Sequence, residues 1–246
     1  MPSLGSLLTP SPRLLVDQKP ASGGWNMAVD AVLLETALST GRATLRWYRW
    51  EEPTLSLGHF QAADDQAIGE RFAGVPKVRR LSGGGAILHD QEWTYSLAVG
   101  PDRPCAAHPL RLYRLIHDAV IDVLEGFEIP ARQRGTADAT RDGSFLCFSR
   151  GDANDVVVGS HKVLGSAQRR RRGAILQHGA LLLRASALAP EFPGLLDLAS
   201  HEVEDARLFA ELTRVTAETL GFPFQSTDLD PQELQRVSNL VSQHTV

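Results

Sequence analysis

Residues 79–90 read RRLSGGGAILHD and carry the densest local pattern in the chain. Three successive glycines separate two β-like runs, Lys77 to Leu81 and Ala86 to Leu88. Bare glycine backbone lets a ligand approach closely, so that its carboxylate or carbonyl oxygen can meet backbone N–H groups. An ordinary hairpin turn is the alternative, but the paired Arg79 and Arg80 favour ligand binding, because a turn needs no flanking charge. The loop matches neither the Walker motif nor the dinucleotide fingerprint.

A second pattern, GSHKVLGSAQ at residues 159–168, places Lys162 in a β-like run between glycines. Strict alternation puts Lys162 and Leu164 on one face of the strand and Val163 on the other. Such a lysine either lies at a sheet edge or reaches into a polar pocket, and the strand alone leaves both open. On the following strand, His178 is either a base or metal ligand, or a hydrogen-bonded structural residue.

Around these two patterns, helical periodicity alternates with short β-like runs. Apolar residues recur at helical spacing from Trp25 to Ser39 and from Leu110 to Glu125, with strand pairs between and after them. This order predicts an α+β fold with a mainly antiparallel or mixed central sheet flanked by helices. We expect a single catalytic domain over residues 1–246, with residues 1–15 flexible and residues 203–246 forming a C-terminal helical part.

Composition excludes several classes of protein. The formal net charge of -4 over 246 residues argues against nucleic acid as the partner. No apolar run approaches the roughly 20 residues that a membrane helix needs, and the N-terminus lacks the basic region of a signal peptide. Two cysteines fit a reducing cytoplasm, and no His/Cys/Asp spacing predicts a metal site. We therefore expect a cytoplasmic protein without a membrane anchor or bound metal.

Several motifs in this order resemble the lipoate–protein ligase A and octanoyltransferase family of the biotin/lipoate ligase superfamily. They are WNMAVD at 25–30, PTLSLG at 53–58, the arginine–glycine loop with its histidine, the lysine strand, and QHG at 177–179. The resemblance covers residues 20 to 185. It implies the fold shared by the catalytic domains of biotin–protein ligases and class II aminoacyl-tRNA synthetases.

The resemblance also implies roles for individual residues. The glycine loop lines the acyl pocket, Lys162 contacts the acyl carbonyl, and Cys147 is a nucleophile that carries the acyl group as a thioester. The substrate-binding residues that it implies are Arg79, Arg80, Ser82, Gly83, Gly84, Gly85, His89, Gly165, Ser166, Ala167 and His178. For Cys147 the alternative is a small core residue, since free cysteine is often buried. His161 stands where the family more often has a basic residue.

Two reactions share this scaffold, and the motifs favour the transferase. A Cys-Phe pair precedes the lysine strand as in the Gram-positive, cysteine-dependent octanoyltransferases, and HDQE and TYS at residues 89–96 look closer to those enzymes. We also expect no accessory domain like that of bacterial ligases, because the C-terminal part is too short for one. Octanoyl-acyl carrier protein is then the expected donor, and lipoyl domains (glycine cleavage H protein and E2 subunits) are the expected acceptors. No cofactor is needed.

The sequence leaves three alternatives open. A lipoate–protein ligase would require ATP and Mg²⁺, and an octanoyl amidotransferase would move the acyl group between lipoyl domains. A non-catalytic acyl-binding protein is disfavoured because it needs no paired nucleophile and cation. The basic run Arg169 to Arg172 is either a solvated hairpin tip or a docking site for an acidic partner.

Overall fold

The computed structural model of the protein describes residues 10–62, 70–137, 148 and 151–246. Its helices are α1 (Gly23–Thr40), α2 (Pro109–Gly126), α3 (Leu195–Leu198), α4 (Asp205–Leu220) and α5 (Pro231–His244), with a 3-10 helix at Pro104–Ala107. Its strands are β1 (Arg13–Val16), β2 (Thr44–Tyr48), β3 (Thr54–Leu57), β4 (Lys77–Arg79), β5 (Ile87–His89), β6 (Glu92–Val99), β7 (Ala131–Gln133), β8 (Val156–Val158), β9 (His161–Arg171), β10 (Ala174–Leu182) and β11 (Gln225–Ser226).

Eight strands form one mixed sheet in the order β11-β1-β2-β6-β10-β9-β8-β7. Strand β1 runs parallel to β2 and β11, and the other neighbouring strands run antiparallel. On β6, Leu97 and Val99 pack into a core cluster with α2 and α4, whereas Ala98 packs with α1 and α5. Successive strand residues point to opposite faces, so helices cover both faces of the sheet. The predicted α+β class is confirmed.

Helix α2 shows why this arrangement is stable. Pro109 stands at its start, where no intrahelical N–H partner is lost. Leu112, Ile116 and Val120 recur every four residues and are buried against the sheet, each contributing about 1.5–3 kcal/mol relative to exposure. His117 is also buried on this helix. A titratable side chain among core aliphatic residues needs a hydrogen-bond partner. Helix α2 holds the His117 side chain over the sheet.

A second sheet has three strands in the order β4-β3-β5 and carries the glycine loop. Strand β3 pairs in parallel with β4 and antiparallel with β5. Because β4 and β5 flank β3 on opposite sides, the glycines between them do not close a hairpin. The hairpin-turn alternative for this loop is therefore wrong.

Strand β9 also departs from simple alternation. Its pairing register with β8 shifts between Val156 and Val157, where Leu164 and Lys162 are the respective partners. This irregularity inserts one extra residue, so Val163 and Leu164 both join the same core cluster. The predicted shared face of Lys162 and Leu164 is therefore wrong, since Leu164 lies in the core.

The two ends of the described chain meet. Arg13 on β1 donates to both carboxylate oxygens of Glu233 on α5, at 2.6 and 2.9 Å, and both side chains are buried. The expected flexible segment 1–15 is therefore too long, because residues 13–15 belong to a strand held by this ion pair. Residues 203–246 contain α4 and α5, and β11 lies between them. Within the described ranges, no helix is both long and apolar enough to span a membrane.

Candidate active site

A cavity of about 1050 Å³ opens between the glycine loop and strands β9 and β10. Its size suits a small-molecule or acyl ligand. The predicted site residues that line it are Arg80, Gly83, Gly84, Gly85, His89, Lys162, Gly165, Ser166, Ala167 and His178. Arg79 and Ser82 are described but do not belong to the lining. Cys147 lies outside the described residues, and the residue after it, Phe148, lines the cavity.

Arg80 organises the glycine loop from within. Its buried guanidinium donates to the carbonyl oxygens of Gly83 at 2.8 Å, Gly85 at 2.6 Å and Ser56 at 2.8 Å. A peptide N–H points opposite to the preceding carbonyl, so the N–H groups that follow these two glycines point away from the cation. Gly84 has φ +98°, which favours glycine. The sequence thus builds a backbone cradle around a buried positive charge.

Arg79 contacts the segment after β3 and does not line the cavity. It is half-buried, and its Nη1 donates to the carbonyl oxygens of Gly58 at 3.0 Å and Gln61 at 2.7 Å. These contacts fix the segment after β3, against which the glycine loop packs. A Cβ on Gly58 would lie 2.1 Å from the carbonyl oxygen of Gly84. Arg79 and Gly58 therefore set the position of the loop from outside the cavity.

Ser82, His178 and Asp30 form a buried hydrogen-bonded series. Ser82 Oγ lies 2.5 Å from His178 Nε2, and His178 Nδ1 lies 3.3 Å from an Asp30 carboxylate oxygen. Burial works to raise the pKa of Asp30, but the His178 hydrogen bond and the Arg46 charge outweigh it and lower that pKa. Asp30 is therefore ionised at neutral pH. Asp30 ends the motif WNMAVD, which was the signal available for it in the sequence.

His89 is held on three sides. Its Nδ1 lies 2.7 Å from Glu92 Oε1, its Nε2 lies 2.8 Å from Ser56 Oγ, and its ring stacks on Trp50 with a centroid separation of 3.9 Å. A carboxylate only accepts, so Nδ1 carries the hydrogen. Arg80 Nη1 also donates to Ser56 Oγ at 3.2 Å. His89 is thus a fixed wall of the cavity.

Lys162 is buried at the opposite wall. Its Nζ lies 3.0 Å from Asp155 Oδ1 and 5.2 Å from the centroid of the Phe148 ring. A Cβ on Gly165 would lie 2.4 Å from Lys162 Cε, so a side chain at position 165 would displace the ammonium from this place. Burial raises the pKa of Asp155, and the Lys162 charge opposes this rise without cancelling it. Of the two alternatives for Lys162, the polar pocket is therefore correct and the sheet edge is wrong.

Sequence reasoning missed a further network beside Lys162. His117 on α2 contacts Ser166 on β9, which contacts Tyr95 on β6. No short motif signals such a set, because its members lie on three separate elements and meet only in the folded chain. The one available signal was a histidine in the apolar face of α2. Asp155 was missed for the same reason.

Comparison with known proteins places this geometry in a family. The model of the lipoyl protein ligase A/B catalytic domain matches residues 22–208. Octanoyltransferase LipM of Clostridioides difficile is 36% identical over 69% of this chain and 65% of its own length, and that of Anoxybacillus flavithermus is 38% identical over 68% and 64%. The chain thus spans just under two thirds of these two relatives. For LipM of Kyrpidia tusciae, identity is 33% over 91% of this chain and 92% of that one.

Solved structures agree on the fold. Ta0514 of T. acidophilum with bound lipoic acid superposes with a TM-score of 0.74 at 22% identity, covering 95% of each chain. Lipoate-protein ligase A bound with ATP superposes with a TM-score of 0.75 at 22% identity and the same coverage. With the family match over most of the chain, the resemblance inferred from the motifs is confirmed: the protein belongs to the lipoyl protein ligase A/B catalytic domain family.

Proposed function

We propose that the protein transfers an octanoyl group from acyl carrier protein to a lysine of a lipoyl domain, through a thioester on Cys147, in the cytoplasm. Its similarity to three octanoyltransferases named LipM supports the reaction. The acceptor class is supported by a structural neighbour solved as a bipartite lipoate protein ligase with its E2 lipoyl domain. Glycine cleavage H protein and E2 subunits are the acceptors that we propose to test.

The observation that carries the proposal is the buried Lys162 ammonium in the cavity wall, held by Asp155 at 3.0 Å. A free cysteine thiol with a pKa near 8.5 is only about 3% thiolate at pH 7, and a nearby cation raises that fraction. Lys162 supplies such a cation. Phe148, which follows Cys147 directly, lines the same cavity, and this supports a nucleophile at position 147.

The transfer then proceeds in two steps. The Cys147 thiolate attacks the donor thioester, a new C–S bond forms, and the carrier leaves as its thiolate, so this exchange is nearly neutral in free energy. The acceptor lysine nitrogen attacks the acyl-enzyme, the C–S bond breaks, and an amide forms, which draws the cycle forward. Backbone N–H groups of the glycine loop and of the segment at Gly165 are proposed to hold the developing oxyanion.

The same cavity also suits a lipoate–protein ligase, the second candidate. The observation that favours it is the fold shared with lipoate-protein ligase A bound with ATP. A ligase would use ATP and Mg²⁺ to form an acyl-adenylate, whereas the proposed transferase needs no cofactor. Within the described residues, no cluster of three potential metal-ligating side chains is present.

Intact-protein mass spectrometry tests the proposal directly. The wild type and the Cys147→Ala variant are mixed with octanoyl-acyl carrier protein without ATP. We expect an octanoyl adduct on the wild type alone, released by hydroxylamine. The matched control is Cys105→Ala, since Cys105 is half-buried in the core cluster with α2 and should leave the adduct intact. Modification of the lipoyl domain only with ATP and free acid would instead establish the ligase.

A further inference from the structure

A chain of hydrogen bonds runs from helix α2 across the sheet beside the cavity. His117 Nδ1 lies 2.5 Å from the carbonyl oxygen of Asn154, and His117 Nε2 lies 2.7 Å from Ser166 Oγ. Ser166 Oγ lies 2.8 Å from the hydroxyl of Tyr95, to which Gln177 Nε2 donates at 2.7 Å. The whole series lies within the described part of the chain.

The direction of each hydrogen bond follows from which atoms can donate. A backbone carbonyl only accepts, so His117 Nδ1 carries its hydrogen. Burial lowers the pKa of His117 to about 4, so the ring is neutral at pH 7 and Nε2 is left as an acceptor. Ser166 must therefore donate its hydroxyl hydrogen to His117.

Tyr95 completes the orientation of Ser166. The Tyr95 oxygen accepts from Gln177, and its own hydrogen goes to Ser166 Oγ, since the hydrogen of Ser166 is already used. A hydroxyl oxygen has two lone pairs. Ser166 therefore retains one lone pair and has no hydrogen to offer to a ligand. It is an acceptor only.

Ser166 lines the cavity next to the site of Lys162. It follows Gly165, against whose Cα the Lys162 ammonium packs. Lys162 and the Arg80 guanidinium, both in the cavity lining, can only donate hydrogen bonds. A cationic ammonium is disfavoured beside them, so an attacking lysine must be neutral and must place its N–H groups on an acceptor.

We infer that Ser166 Oγ accepts a hydrogen bond from an N–H of the incoming substrate lysine and so directs the lone pair of the lysine nitrogen at the acyl carbon. His117 is a positioning residue that keeps the Ser166 hydroxyl oriented as an acceptor. The inference rests on the proposed function and names the residue of that site that recognises the acyl-accepting lysine. It concerns the second step only. There the C–N bond forms, the C–S bond breaks, and the proton lost from nitrogen ends on the departing sulfur.

Single-turnover kinetics on Ser166→Ala separate this role from a structural one. Octanoyl-enzyme is formed first, and its decay is then followed with excess lipoyl domain and, separately, with hydroxylamine. We expect acyl-enzyme formation and hydroxylamine cleavage within about twofold of wild type. Transfer to the lipoyl domain should fall about ten- to hundredfold, the usual cost of losing reactant alignment, with kcat lowered and KM for the lipoyl domain unchanged.

Two variants of His117 test the relay without touching Ser166. His117→Gln retains a donor for Asn154 and an acceptor for Ser166, so transfer should stay within about threefold of wild type. His117→Phe removes the acceptor, and its transfer rate should match that of Ser166→Ala. Ser238→Ala on the exposed face of α5 is the control for a serine truncation. If Ser166→Ala does not fold, the His117 pair decides the question.

Wild-type transfer rates in Ser166→Ala and His117→Phe would overturn the inference, as would an equal loss in acyl-enzyme formation. An octanoyl ester on Ser166 itself would also overturn it, because Ser166 would then be a nucleophile that carries the acyl group and not the hydrogen-bond acceptor for the substrate lysine. Absence of any acyl-enzyme in the wild type would instead refute the proposed thioester route, and the inference would fall with it.

Discussion

At the scale of single residues, the Lys162–Asp155 pair governs how strongly the cavity can activate a thiol. Both side chains are buried, and their charges lie 3.0 Å apart. Burying two charges is costly unless they compensate each other, and the Asp155 carboxylate compensates the Lys162 ammonium in this wall. The same carboxylate also reduces the positive field that reaches a thiol nearby. Asp155 therefore stabilises the buried Lys162 charge but weakens the effect of that charge on the pKa of a nearby thiol.

Replacing Lys162 by Met tests this activation. The substitution keeps the volume and removes the charge, so the Cys147 thiol should lose its stabilising cation. Its pKa should return toward about 8.5, and its thiolate fraction at pH 7 should fall about tenfold. Alkylation by iodoacetamide across pH, in a Cys105→Ala background, measures this pKa. An unchanged alkylation profile would show that Lys162 does not act on Cys147.

His117 should make the fold sensitive to acid. Its pKa is about 4 in the folded protein and near 6.5 when unfolded, so the unfolded chain binds more protons between these values. Stability contributed by neutral His117 is therefore present above pH 6.5 and is lost as pH falls toward 4. Between pH 7 and 4.5 the loss is about 2 kcal/mol.

Urea unfolding of the wild type and His117→Gln at both pH values measures this contribution. The wild type should lose about 2 kcal/mol more than the variant over this interval, since glutamine does not titrate. Carboxylates shared by both proteins cancel in the comparison. Equal losses in the two proteins would contradict a depressed His117 pKa.

At the scale of elements, the glycine loop depends on the segment that follows β3. Gly58→Ala would bring a Cβ to 2.1 Å from the Gly84 carbonyl oxygen, and backbone on both sides leaves little room to relax. We expect a loss of about 1–3 kcal/mol in stability and a marked fall in acyl transfer. Gly126→Ala at the end of α2 is the matched control, because no atom lies within 4 Å of its Cβ position. Equal behaviour of the two variants would contradict this packing role.

The basic run Arg169 to Arg172 lies in the hairpin of β9 and β10, and its arginines have different surroundings. Arg171 donates to Glu35 at 2.8 Å, which ties the hairpin to α1. Arg170 is exposed and lines the cavity, and Arg172 is exposed at the turn with φ +48°. Both exposed arginines can meet a partner in solution, and the position of Arg170 in the cavity lining suits contact with one that delivers the acyl group.

Reversing Arg170 and Arg172 to Glu tests docking of an acidic donor. The KM for octanoyl-acyl carrier protein should rise several-fold at low salt and approach the wild-type value at high salt, because exposed charges are screened. Reversal of Arg207 and Arg214, both exposed on α4, controls for the change in net charge. An unchanged KM at low salt would rule out this docking site.

At the scale of the whole molecule, the pair Arg13–Glu233 joins strand β1 to helix α5. Burial works to raise the pKa of Glu233, but the hydrogen bond and charge of Arg13, together with hydrogen bonds from the Asp230 backbone and Thr36, outweigh it and lower that pKa. Thr36 of α1 also donates to Glu233 at 3.1 Å. The Glu233 carboxylate on the last helix therefore holds both of the first two elements, β1 and α1. We propose on this basis that the chain unfolds as a single domain, as the sequence predicts.

Glu233→Ala should lower the free energy of unfolding by about 3–5 kcal/mol, because it leaves the Arg13 charge buried and unpaired. The double variant Arg13→Leu with Glu233→Ala should recover part of that loss. Urea unfolding followed by tryptophan fluorescence and by circular dichroism measures both the loss and its cooperativity. Two separate transitions in the wild type would contradict the single domain.

The sequence alone was sufficient for the fold class and the family, and most of the site residues that it predicts line the cavity. Helical and strand periodicities are local properties of burial, and the glycine loop and lysine strand are contiguous motifs. Each can be recognised without knowing which elements touch. The implied lining residues from Arg80 to His178 accordingly lie together, whereas the role of Cys147 stays a prediction.

Only the tertiary structure decided the partners of these residues. The loop is a crossing between strands on either side of β3, and the irregular pairing of β9 sends Leu164 into the core. Asp155, Asp30 and His117 reach the site from elements far apart in sequence. Hydrogen bonds and ion pairs depend on distances of about 3 Å, and such distances between remote residues exist only after the sheet and its helices have packed.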